Sequence, residues 1–181
     1  MKLHLGCWHR RLEGYVNIDI KHENADVHAD IQYLPYENNT IDEIYASHVL
    51  EHFGRHEFLA VLKEWNRVLK PGGSVYIAVP DIDSAFDYYK KHGDLSAIYG
   101  IIWGGQRDEY DYHKFGFTFD TLSKYLVETS FENPQRYNTF EYLPKDFDDY
   151  SKAHLPHMDF ENGHLLSLNI TATKRLIRCH V

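Results

Sequence analysis

The feature that most constrains this fold is a change of hydrophobic period near the middle of the chain. Phe58, Val61, Leu62, Trp65, Val68 and Leu69 recur at helical spacing, and the segment closes at Lys70-Pro71-Gly72-Gly73, where a cation, a proline and two glycines stop a helix. Ser74 to Val79 (SVYIAV) follows at once as a nearly continuous apolar run. A strand covered on both faces needs such a run, so this segment is expected at the centre of a parallel sheet.

The rest of the chain reads around that centre. Leu3 to Leu5, Tyr15 to Ile20, Val27 to Ile31 and Ile41 to Val49 are short apolar runs ended by glycine, charge or turn residues, and each predicts a strand. Asp120 is the expected N-cap of a helix carrying Leu122, Tyr125 and Leu126, which stops before Phe131 and Pro134, with a strand near Arg136 to Tyr142 beyond it. Leu166, Leu168, Ile170 and Ala172 alternate with Ser167, Asn169, Thr171 and Thr173, a period of two expected of a strand with one wet face or at an edge. No repeat or linker divides the chain, so residues 1–181 are expected to form one α/β domain, closing in an antiparallel strand pair.

Composition removes several functions. With 27 acidic against 19 basic residues and no Lys or Arg block longer than a pair, the chain lacks the electrostatic footprint of a nucleic-acid binder. No apolar run reaches membrane-spanning length, and the start MKLHLGCWHRR has no signal-peptide pattern. Two cysteines, Cys7 and Cys179, make no disulfide framework, so a reducing, cytoplasmic setting is expected. The 13 histidines and 14 tyrosines are the unusual part of the inventory.

In an open parallel sheet, ligands bind beyond the carboxyl ends of the strands. The residues there are Gly6-Cys7-Trp8, Asp19, Asp30, His48 to His52 and Pro80-Asp81. A carboxylate after the second strand can accept from both hydroxyls of a ribose, which suits Asp19; one after the third can accept from the amine of adenine, which suits Asp30. The GxGxxG fingerprint is absent, and Asp19 follows Gly6 by 13 residues, closer than the ~20 of a nicotinamide-binding fold. A nucleoside ligand without phosphates needs only close backbone approach at the first strand's end, as in an adenosyl cofactor.

The segments LHLGCWHRRLEGYVNIDI, ADIQYLPYENNTIDEIYASHVLEHF and LKEWNRVLKPGGSVYIAVPD, taken in order, resemble the class I S-adenosylmethionine-dependent methyltransferases, in particular a branch of short bacterial-type members. The resemblance is strongest over residues 2–81 and looser through GGQRDEYDYHKFGFTFDTL and the last strands. It implies a Rossmann-like seven-stranded, mostly parallel sheet with helices on both faces, and S-adenosyl-L-methionine as cofactor. It also implies cofactor contacts from Gly6, Cys7, Trp8, Asp19, Ile20, Asp30, Ile31, Ser47 and His48. Relatives usually read LGCG in the first turn, where this chain has Trp8; a positive φ there would be strained for a tryptophan. With Met1 almost on the first strand, no helical cap is expected before it, and residues 82–118 and 143–164 are expected to cover the substrate.

His48, Glu51 and His52 would share a helical face and could relay a proton or bind a metal, but the resemblance makes SHVLEH a family signature, and no HExxH spacing exists. No metal ligand set is therefore assigned. Tyr88 and Tyr89, followed by Lys90 and Lys91, read as helix surface. Gly104-Gly105-Gln106 and Asp111-Tyr112-His113 are loop candidates for the site. The reading is a methyltransferase acting on a small or saccharide-like acceptor, with His113, Asp81 and His48 as candidate bases. The alternative is a catalytically idle adenosyl-fold scaffold whose glycine turn is filled by Trp8.

Overall fold

In a computed structural model, residues 1–176 are described; Cys179 lies outside the described residues. The chain forms β1 (Lys2–Leu5), β2 (Val16–Asp19), β3 (Val27–His28), β4 (Ile41–Ser47), α1 (Phe58–Val68), β5 (Leu69–Pro80), α2 (Ile82–His92), α3 (Tyr99–Trp103), α4 (Phe119–Glu128), β6 (Phe131–Arg136), α5 (Thr139–Tyr142), β7 (His154–Leu155), β8 (His164–Leu165) and β9 (Ser167–Lys174). Seven strands pair in the order β3-β2-β1-β4-β5-β9-β6, with β7 and β8 as a separate hairpin. All neighbours from β3 to β5 are parallel, whereas β9 runs antiparallel to both β5 and β6. The expected mostly parallel sheet with an antiparallel terminal pair is therefore present. Order reverses between β1 and β4, and a crevice opens at that switch point.

The β1–β2 connection carries no helix. Buried Asn17, 2% exposed, organises it instead. Its Oδ1 accepts from Leu12 N at 2.8 Å and is paired with His4 Nδ1 at 2.9 Å, while Nδ2 donates to Tyr15 O at 3.1 Å and to Asp26 Oδ2 at 3.1 Å. Asp26 also accepts from Asn17 N and from Arg11, and these bonds hold its carboxyl down at about 2.

Helix α1 buries Phe58, Val61, Leu62, Trp65 and Val68 against the sheet, as its period requires. It ends at Val68, one residue short of the expected Leu69, because Leu69 is already extended and paired with Ile41. The Pro-Gly-Gly stretch forms a bulge in β5, where a Cβ on Gly73 would meet Lys70 O at 2.9 Å and Asp42 O at 3.0 Å. Lys174 of β9 donates to Asn66 O at 2.6 Å and Leu69 O at 2.8 Å, satisfying carbonyls at the helix end from the far end of the described chain.

Four local expectations are corrected. Thr118, not Asp120, caps α4, its hydroxyl accepting from Thr121 N in a capping box; Asp120 sits in the first turn. The strand expected at Arg136 to Tyr142 is displaced to β6, and residues 139–142 form a helical turn started by the Asn138 side chain. Strand β9 is neither wet nor an edge: it lies between β5 and β6, and its polar residues Ser167 and Asn169 are buried in hydrogen bonds. The third strand is shorter than its apolar run.

Trp65 links this core to the crevice, donating its indole N–H to Ile31 O at 3.1 Å. In Trp65→Phe that buried carbonyl loses its partner, a cost of about 1–3 kcal/mol. The melting temperature should fall by roughly 2–10 °C, measured by calorimetry. An unchanged melt would show that Ile31 O finds another donor.

Candidate functional site

A cleft of about 480 Å³ opens at the carboxyl ends of β1, β2, β3 and β4, lined by Gly6, Trp8, Asp19, Ile20, Asp30 and Ile31 among others. Gly6 has φ +64°, and a Cβ on it would collide with the Val49 side chain, so it is bare backbone that lines the cleft here. Trp8 also has a positive φ, +46°, so the strain foreseen for it is real. Its indole lies at the rim, 41% exposed, with the guanidinium groups of Arg107 and Arg10 5.5 and 5.8 Å from the ring centre.

Asp19 anchors the cleft. Its carboxylate accepts from Trp8 N at 2.9 Å, Lys21 N at 3.0 Å and His22 N at 3.0 Å, fixing the turns on either side. A carboxylate offers about four acceptor directions, so about one remains for a ligand hydroxyl. Asp30 is held by Gln32, whose backbone N–H donates at 2.9 Å and side-chain amide at 3.2 Å. Ala29, Ile31, Val49 and Phe53 give the wall between them an apolar surface suited to a flat ring.

The outer wall comes from the segment after α3. Arg107 to Asp111 and Lys114 reach the cleft; Lys21 Nζ meets Asp108 Oδ2 at 2.9 Å across it, and Lys114 N donates to Glu51 O at 2.8 Å. Gly104-Gly105-Gln106 forms the turn behind this wall: Gly104 has φ +76°, and Gln106 N donates to Asp111 O at 2.9 Å. Of these lining residues the sequence marks His52, at a strand end, and Asp111, in a candidate loop; Arg107 to Tyr110, Lys114, Gln32, Phe53 and Tyr150 have no shared spacing that could mark them.

Of the sequence candidates, Gly6, Trp8, Asp19, Ile20, Asp30, Ile31 and His48 line the cleft. Cys7 and Ser47 face a smaller neighbouring cavity of about 80 Å³ instead. Asp81 is withdrawn from the cleft: it is buried, caps α2 by accepting from Ser84 N at 3.3 Å, and pairs with Arg136 at 3.2 Å. His113 is turned inward, donating from Nδ1 to Ile101 O at 2.9 Å, with Nε2 3.8 Å from Glu51 Oε1. Burial lowers the His113 imidazole to about 4 and His48 to about 3, and raises the Glu51 carboxyl to about 8.

The strand order, the switch-point cleft, the glycine turn and the two strand-end acids define the class I S-adenosylmethionine-dependent methyltransferase fold. Residues 8–77 match the family model described as a methyltransferase domain, whose typical methyl donor is S-adenosylmethionine. Demethylmenaquinone methyltransferase of Staphylococcus saprophyticus is 34% identical over 92 residues, covering 48% of this chain and 38% of that protein. The chain thus spans well under half the length of that relative. Among solved structures, an S-adenosylmethionine-dependent methyltransferase from Methanosarcina mazei aligns with a TM-score of 0.61 at 18% identity, over 97% of this chain and 92% of the other. One from Thermotoga maritima aligns with a TM-score of 0.61 at 14% identity, over 96% and 82%. At that identity the structures share the fold. Among the described residues, no helix is long and apolar enough to cross a membrane.

Two measurements check this geometry. Gly6→Ala should destabilise the protein by about 1–3 kcal/mol, because the left-handed backbone and the Val49 contact both oppose a methyl group; equal melting temperatures would contradict the turn. Burial pushes the Cys7 thiol up to about 12, so at pH 8 it stays a protonated, poor nucleophile. Peptide mapping after iodoacetamide should find Cys7 unmodified in folded protein and modified in denaturant.

Proposed function

We propose that this chain is an S-adenosylmethionine-dependent methyltransferase acting on a small polar acceptor, sugar hydroxyls included. The carrying observation is the cleft bounded by the Gly6 turn at one end and by Asp19 and Asp30 at consecutive strand ends. The residues fit the cofactor: Asp19 keeps an acceptor direction for the ribose, Asp30 is fixed beside an apolar slot for adenine, and the bare backbone of Gly6 lines the cleft where the methionine portion would lie. When bound, the cofactor supplies an electrophilic methyl group on a sulfonium.

The protein's own part is alignment and exclusion of water. The wall from Arg107 to Asp111 closes one side, and Tyr150, from the region expected to cover the substrate, closes another. The candidate bases are weak where they stand. His48 lines the cleft, but its low basicity and inward contacts make it a poor proton acceptor, and His113 faces Glu51. His52 is the imidazole that reaches the cleft with part of its ring exposed. A hydroxyl acceptor would therefore pass its proton to solvent as the methyl group transfers, with no strong protein base beside it. The idle-scaffold alternative required the indole of Trp8 to fill the turn, and its position at the rim argues for a working cleft. A cytoplasmic location accords with the cofactor.

Titration calorimetry with S-adenosylhomocysteine tests the proposal. Wild-type protein should bind it, and Asp19→Ala should weaken binding ten- to a hundredfold, the loss of a charge-assisted hydrogen bond of about 1.5–3 kcal/mol. Absence of binding by folded wild-type protein would favour the scaffold. Unchanged affinity in the variant would remove Asp19 from the cofactor contacts.

A further inference from the structure

The carboxylate of Glu51 is fully buried, and neither of its oxygens has a hydrogen-bond partner. The groups that face it are three imidazoles, and each presents a lone pair. His113 donates from Nδ1 to Ile101 O at 2.9 Å and His52 from Nδ1 to Tyr112 O at 3.1 Å, so in both rings the free lone pair is on Nε2. Ser167 Oγ gives its proton to Asn169 Oδ1 at 3.2 Å, which makes His48 Nε2 the donor to Ser167 Oγ at 3.1 Å. His48 Nδ1, 3.3 Å from Glu51 Oε1, is then also a lone pair. With Glu51 ionised, four acceptors converge with no donor among them, and the arrangement is completed either by a proton on Glu51 or by a cation.

We infer that Glu51, His52 and His113 form a site for a divalent transition-metal cation of borderline softness, of which Zn²⁺ is the type. Each offers a ligand atom, and the three atoms lie within 4.8 Å of one another. Zinc holds nitrogen and oxygen ligands at about 2.0–2.2 Å, which sets tetrahedral ligand atoms about 3.4 Å apart. His113 Nε2 and Glu51 Oε1 are already 3.8 Å apart. The backbone carbonyls on the two Nδ1 atoms are the outer partners that orient metal-binding histidines and fix their tautomer. His52 lines the cleft, so an ion can enter from that side. Once bound, it would join the turn after β4 to the segment that supplies the cleft's outer wall. The site is independent of the proposed methyl transfer, because its donors are complete without the cofactor.

The test uses the full chain stripped with chelator. Cobalt(II) chloride should produce visible d–d bands that saturate at one equivalent, be displaced by zinc chloride, and give way to a zinc-dependent rise in melting temperature. Glu51→Gln and His52→Ala should each weaken zinc binding about 100-fold, with circular dichroism confirming the fold; His52 is half-buried, so its truncation keeps the core intact. His9→Ala removes a member of the separate His9–His22 pair, whose ring centres are 6.3 Å apart, and should leave binding unchanged. No saturable binding by wild-type protein, wild-type affinity in both site variants, or loss of binding in His9→Ala would each overturn the inference. S-adenosylhomocysteine calorimetry on the stripped protein reads the methyltransferase proposal separately.

Discussion

The cleft depends on how β2 holds the chain that precedes it. Parallel strands are ordinarily joined by a crossover helix, whose own hydrogen bonds fix the loop that meets the ligand. Here the connection between Leu5 and Val16 has no helix, and two polar side chains of one short strand replace it. Asn17 and Asp19 are two residues apart and therefore share a face. Asn17 ties down the middle of the connection through Leu12 and Tyr15, while Asp19 captures Trp8 N at its start. A buried amide is tolerated at this position because its donors and acceptor are all satisfied. The positive φ angles of Gly6 and Trp8 lie at the start of this tethered connection.

The opposite wall is governed by the turn after β4. Glu51 O receives both Lys114 N and Phe115 N, which fixes the segment after α3 to the edge of the cleft. The buried Glu51 side chain faces imidazoles that burial keeps neutral. One residue thus organises the wall through its backbone and gathers His48 and His113 around its carboxyl group. Both effects come from a few residues of irregular chain, where loops on a rigid sheet carry function.

The sheet was legible in the sequence because hydrophobic period is a local property. SVYIAV had to be central, the α1 stripe had to face it, and the acids at successive strand ends had to lie together once the strands were parallel. Cap choice was less legible. Thr118 and Asp120 are both good N-caps, and the chain settles on Thr118 because Thr121 can return the hydrogen bond. The alternation in residues 166–173 was read as a wet face, yet Ser167 and Asn169 are buried because their partners come from elsewhere in the chain, among them Ser151 and His48.

What the sequence determined by itself was the order of elements, the switch-point cleft and the acid positions within it, all fixed by periodicity and by turn residues acting over a few neighbours. The tertiary structure alone decided that His113 joins His48 and His52 at Glu51, that Asp81 serves a helix and Arg136, and that the 107–111 segment walls the cleft. Those outcomes rest on contacts across long sequence separations, such as His113 with Glu51 and Lys21 with Asp108. No spacing rule encodes such pairs, because what brings them together is the packing of whole elements and not the chain between them.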